Sequence, residues 1–150
     1  MPKLILPWLS RLLLACLLLA GAGAQASGST ADFVVVVSAK SPLTALSAEQ
    51  VTAIFMSQTG RFPGGDEAIP LDLPFGSPLR DAFYNKVAAR TPALMKAYWT
   101  KMVFTGRAQP PRELSNSVAA RRMVADNPAM IAYIDRAALD PSVKIIQVTP

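Results

Sequence analysis

Leu71-Asp72-Leu73-Pro74-Phe75-Gly76-Ser77-Pro78-Leu79-Arg80-Asp81-Ala82-Phe83 is the stretch around which the chain is organised. From Ile69 to Leu73 apolar and polar side chains alternate, the pattern of a half-buried strand. Pro74 to Gly76 turns the chain, and Ser77-Pro78 then opens a helix. Ser is a favoured N-cap, and Pro at the first helical position loses no hydrogen bond because that N–H is orphaned anyway. A strand, a Gly-containing turn and a helix start together present free backbone N–H groups at the positive end of a dipole, a means of holding an anion.

Arg80 sharpens this reading. It stands at the third helical position, where a capping box would place Glu or Gln and where the dipole disfavours a cation. Helical side chains lean toward the N-terminus, so its guanidinium is placed to reach a ligand resting on Ser77. The same residues also describe a well-capped helix with Arg80 solvated and Asp81 offsetting its charge. Both readings stay open on the residues alone.

Working outward, the N-terminal side carries an export signal. Lys3 and Arg11 mark a short basic start, Leu12 to Ala20 is apolar, and Ala24-Gln25-Ala26 fits a small-residue cleavage site. Residues 1–26 are thus expected to be a cleavable signal peptide and 27–150 the domain, placing the protein in the periplasm. The alternative is a lipoprotein anchored at Cys16, since Leu13-Leu14-Ala15-Cys16 loosely fits a lipidation box.

Cleavage after Ala26 removes the only Cys together with Lys3 and Arg11, leaving 13 basic against 10 acidic side chains, a net of +3. The basic excess is mild and shows no runs of Lys or Arg, so nucleic acid is not expected as a partner. There is no His in the chain. Without His or a mature Cys there is no thiol nucleophile, no imidazole base and no zinc site of the usual ligands. No nucleophile and base pair can be named, and the reading is of a protein that is not an enzyme, with no metal or cofactor.

Phe33 to Val37 is a short β-branched run of the kind buried on both faces, read as a parallel-sheet strand. The loop behind it holds Ser38 and Ser41, hydroxyls that can assist an anion beyond a strand end. Ser47 with Gln50 forms a capping box, Leu46 with Val51 a hydrophobic staple, and Val51, Ile54 and Phe55 one apolar stripe. Beyond the central stretch, Thr91-Pro92 starts another helix, whose Leu94, Met95, Tyr98, Trp99, Met102 and Val103 form a broad face read as core. Phe104 to Glu113 is read as loop. Ser117 is expected to cap a further helix, with Arg121-Arg122 on its wet face, and Met130–Ile134 and Val143–Val148 are expected as closing strands. The order predicts an α/β domain, a mixed, largely parallel sheet flanked by helices, with the Ser38 loop and the Gly76-Ser77 turn both beyond strand carboxyl ends.

Several segments carry a resemblance. Leu46-Ser47-Ala48-Glu49-Gln50-Val51-Thr52-Ala53-Ile54-Phe55 resembles a segment of phosphate-type periplasmic binding proteins of ABC transporters, and Gly76-Ser77 before a helix resembles their phosphate-holding turn. Val103-Phe104-Thr105-Gly106, Pro110-Pro111 and Asn127-Pro128-Ala129-Met130-Ile131-Ala132-Tyr133 resemble further stretches of the same family, in the same order. The chain departs from that family at Leu73, where an Arg stands in it, and at Ala129 and Ala132, where Gly stands. The resemblance implies a shortened, single-module type 2 periplasmic-binding-protein fold that binds phosphate or a related oxyanion for ABC-type uptake or sensing. It implies Gly76, Ser77 and Arg80 as the core of the site, with Ser38 and Ser41 assisting, and an ABC transporter permease or other envelope protein as partner. The alternative is an envelope protein that keeps the fold for protein contacts and takes no small ligand.

Overall fold

The computed structural model describes residues 31–150. The signal-peptide and Cys16 readings lie outside the described residues. Strand β1 (Phe33–Ser38) leads through a short β2 (Ala45–Ser47) into helix α1 (Ala48–Phe55). Strand β3 (Ile69–Asp72) is followed by α2 (Pro78–Ala88) and α3 (Pro92–Phe104). Then come β4 (Arg112–Glu113), α4 (Ser117–Asp126), β5 (Met130–Asp135), a 3-10 turn, β6 (Val143–Ile145) and β7 (Gln147–Thr149).

Five strands form one sheet in the order β4-β3-β5-β1-β6, and β2 pairs with β7 in a second, two-stranded sheet. The register sets Ile69 opposite Met130 and Leu71 opposite Ala132 in parallel, and Val35 opposite Tyr133 in antiparallel. β1 is antiparallel to β5 and to β6, while β3 is parallel to β4 and β5. Four strands therefore share one direction and only β1 is reversed, giving a mixed, mostly parallel sheet. The expectation that Phe33–Val37 pairs in parallel is corrected. Its burial on both faces comes from its place between two strands, with helices above and below, and composition carries no information on direction.

Alternation along β1 divides the core between the two faces. Val35 and Val37 join Ile131 and Tyr133 under α1, α2 and α3, with Phe55, Phe83, Met95 and Trp99. Val34 and Val36 join Leu71, Ala132 and Ile134 under α4, through Ala120 and Val124. Full burial of a Val, Leu, Ile, Phe or Met side chain contributes about 1.5–3 kcal/mol relative to exposure.

The capping box of α1 forms as expected. Gln50 N–H donates to Ser47 Oγ at 3.1 Å and Ser47 N–H to Gln50 Oε1 at 2.8 Å. Ser47→Ala is expected to cost about 1 kcal/mol; an unchanged urea midpoint would show that this cap carries no stability. The cap of α4 is corrected: Asn116 Oδ1, not Ser117, accepts from Ala119 N–H at 2.9 Å. Arg121 is also corrected, being half-buried and bonded to the Ala138 carbonyl at 2.8 Å, while Arg122 is exposed. The closing run is two strands, broken at Ile146, whose N–H turns to the Val35 carbonyl at 3.0 Å. The third helix buries Met95 and Trp99 but leaves Leu94 and Val103 in solvent.

Candidate functional site

The turn after β3 is held by Ser77 N–H on the Pro74 carbonyl at 3.0 Å, with Gly76 at φ +85°, a region that glycine enters without penalty. Ser77 occupies the N-cap of α2, but its side chain makes no capping bond. Pro78 has no N–H, and the N–H groups of Leu79 and Arg80 meet no protein acceptor among the described residues. The start of α2 therefore leaves two N–H groups and the Ser77 hydroxyl without a protein partner among the described residues.

A second helix start faces the same cleft. α4 runs back antiparallel to β5, so its first turn lies at the end of the sheet where β3 and β5 finish. The cleft, about 440 Å³, is lined by the Leu73–Ser77 turn and Leu79 on one side and by Ser115, Asn116 and Ser117 on the other. Asn116 covers only Ala119 N–H, leaving those of Ser117 and Val118 without a protein acceptor among the described residues. Asp135 adds one carboxylate to the lining, its Oδ1 accepting from Ala137 N–H at 2.9 Å. Two positive helix ends and one carboxylate thus face the same cleft.

Arg80 is not solvated. It is 1 % exposed, its Nε lies 3.3 Å from Asp72 Oδ2, and its guanidinium carbon sits 3.7 Å from the ring centre of Phe75, a residue of the cleft wall. Its Nε is bonded to Asp72, and the two Nη groups find no acceptor among the described residues. Asp72 is fully engaged. Its Oδ2 also accepts from Tyr84 Oη at 2.8 Å, and its Oδ1 accepts from Tyr133 Oη and, at 2.8 Å, from Leu73 N–H. Burial above all, then the Asp72 charge and the hydrogen bonds to it, push both phenols far above the ordinary tyrosine range. Both stay protonated donors.

Of the residues expected from sequence, Gly76 and Ser77 line this cleft, whereas Arg80 does not line it and lies buried against Asp72 and Phe75. Ser38 and Ser41 lie elsewhere. Because β1 is reversed, its C-terminal end lies at the opposite edge of the sheet from Gly76, with Ser38 opposite Val143. Ser38 Oγ donates to the Ala125 carbonyl at 3.1 Å, and Ser41 Oγ accepts from Leu43 N–H at 3.2 Å. The expectation that both loops share one end is thereby corrected. Sequence reasoning missed Ser115-Asn116-Ser117, whose run of small polar residues before a helix was the available signal, and the Asp72–Tyr84–Tyr133 cluster, which left none.

Solved structures share this architecture. An ABC-type phosphate transport receptor from Vibrio cholerae superimposes at TM-score 0.61 with 18 % identity, over 77 % of this chain and 45 % of its own. A protein assigned as a phosphate ABC-transporter substrate-binding protein from Clostridium perfringens, solved with phosphate bound, gives 0.60 with 22 % identity, over 77 % of this chain and 44 % of its own. The chain has the fold of the phosphate ABC-transporter receptors. PstS from Borrelia burgdorferi fits the same phosphate-receptor fold at TM-score 0.53 and 12 % identity, over 77 % of this chain and 46 % of its own. The chain thus spans less than half the length of each. No protein-family model matches it, and no curated protein does.

Proposed function

We propose that the protein is a solute-binding module for phosphate or a related oxyanion, held in the cleft between the first turns of α2 and α4. The observation that carries this reading is the pair of open N–H groups at Leu79 and Arg80, beside the Ser77 hydroxyl that leaves them uncapped. Arg80 supplies the cationic contact through its free Nη groups, and Asp72 holds it in place. The Asp135 carboxylate favours hydrogen phosphate, which can donate a proton, over sulfate, which cannot. The receptors of the same fold support a solute-binding role; ABC-type uptake or sensing, with a permease or another envelope protein as partner after export to the periplasm, is part of the proposal. They are receptors, and no enzyme activity is proposed.

The strength of binding follows from the parts. A helix N-terminus offers an anion about 0.3–1 kcal/mol when exposed and up to ~2 when partly buried. Charged hydrogen bonds from Arg80 and Ser77 add about 1.5–3 kcal/mol each. After ordering costs a net of roughly 4 kcal/mol remains, a millimolar dissociation constant. At 10 mM, phosphate should then stabilise the fold by about 1.4 kcal/mol. Melting the 150-residue chain with phosphate, sulfate and chloride at constant ionic strength tests this. A rise of roughly 5 °C in phosphate only is expected. No rise, or the same rise with sulfate, would remove the reading. Micromolar binding, about 8 kcal/mol, would exceed what these groups supply and overturn this sum.

A further inference from the structure

Among the described residues the outer face of α3 is unpartnered, and it is chemically distinct from the cleft. Met95 and Trp99 turn inward, while Ala93, Ala97, Thr100 and Phe104 recur at four- and three-residue spacings and share the exposed face. Phe104 is 91 % exposed. Lys96 and Lys101 flank this stripe on either side, at the positions that e and g residues hold beside a coiled-coil seam. Two adjoining hollows, about 620 and 550 Å³, open on the two sides of Thr100 and Phe104. Trp99 walls the first of them, and its buried Nε1 has no hydrogen-bond acceptor among the described residues. Phe75, half-exposed, closes its far side.

The charge around the stripe has one sign. From Ala82 to Arg112 the chain carries six basic side chains and no acidic one. Of these, Lys96 and Lys101 border the stripe, and α3 itself carries no acidic side chain. Two copies meeting through this face would set Lys96 and Lys101 against like charges, which disfavours self-pairing. Phe104 is the one residue of the stripe that protrudes far; Ala93, Ala97 and Thr100 make the rest a low seam between hollows shaped to receive side chains, whereas a bilayer rewards a continuous run of protruding apolar groups.

We propose that this face of α3 docks an amphipathic helix of a partner protein, one whose apolar seam is flanked by acidic side chains. The proposal is independent of the oxyanion reading, and either can fail alone. A labelled designed helix of about four heptads, with Leu at a and d and Glu at e and g, is titrated with the full chain by anisotropy. The same helix with Lys at e and g is the control. The acidic helix is expected to bind at least about tenfold more tightly. Lys96→Glu/Lys101→Glu, both at exposed positions, is expected to melt as the parent does and to invert that preference. Phe104→Ala is expected to weaken binding of the acidic helix. Equal binding of both helices, binding of neither, or a preference unmoved by the charge swap would overturn the proposal. So would binding to phosphatidylglycerol vesicles without binding to the acidic helix, which would assign the face to a membrane. Self-association of the chain abolished by Phe104→Ala would assign it to a second copy.

Discussion

Asp72→Ala is expected to lower the stability of the chain by about 3–5 kcal/mol, the cost of leaving a buried charge without its partner. Arg80 is sealed to 1 % exposure with its Nε on this carboxylate, so its guanidinium would stay buried and unpaired. The same change strands the hydroxyls of Tyr84 and Tyr133, both 1 % exposed or less, whose protons now rest on Asp72. Urea denaturation reads the loss directly. A cost below about 1 kcal/mol would mean that Arg80 finds water or another acceptor, and that the cluster does not hold it. Asp72→Ala combined with Arg80→Met removes both charges and is expected to recover much of the loss. The cluster also sets a pH limit. Both phenols have pKa values raised by folding, so their contribution is complete below the unfolded tyrosine value of about 10 and falls away as pH rises beyond it. Tyr84→Phe should reduce that alkaline loss.

Phe83→Ala is expected to cost about 3–5 kcal/mol, in the range for truncating a buried aromatic side chain. Its ring lies parallel to Tyr133 with centroids 4.0 Å apart, and it meets Phe33, Phe55 and Tyr84 edge-on at 5.5, 4.8 and 5.1 Å. Those neighbours sit on β1, α1, β5 and α2 itself, so one deletion opens a cavity shared by four elements. Surrounding rings are too large to collapse into it. Phe83→Leu fills most of the space and should lose less. A loss below about 1 kcal/mol for Phe83→Ala, in a two-state urea transition, would show that the cluster repacks freely.

The elements whose reasons are local were legible in the sequence. Ser47 with Gln50, Thr91-Pro92 and Asn127-Pro128 are start and stop signals written within a few residues, and they bound the helices where expected. What long-range pairing decides was not legible. Phe33–Val37 announces burial, yet only its partners on β5 and β6 set its direction. That single reversal moves Ser38 and Ser41 to the far edge of the sheet and leaves Gly76 and Ser77 as the turn at the site. β2 and β4 span three and two residues and exist only through their pairing with β7 and β3. Arg80 was legible as a charge out of place at a helix start. Its partner was not, because Asp72 follows the polar step of a half-buried strand and nothing in its neighbours marks that face as closed.

The cleft between α2 and α4 is tested most directly by the backbone amides themselves. A ¹H–¹⁵N titration of the full chain with phosphate, against chloride at equal ionic strength, reports on each N–H separately. Binding at this site shifts Gly76, Leu79 and Arg80 together with Ser117 and Val118, saturating in the millimolar range, and leaves Ser38 and Ser41 unmoved. Saturable shifts around Ser38 and Ser41, or none at Leu79 and Arg80, would contradict it.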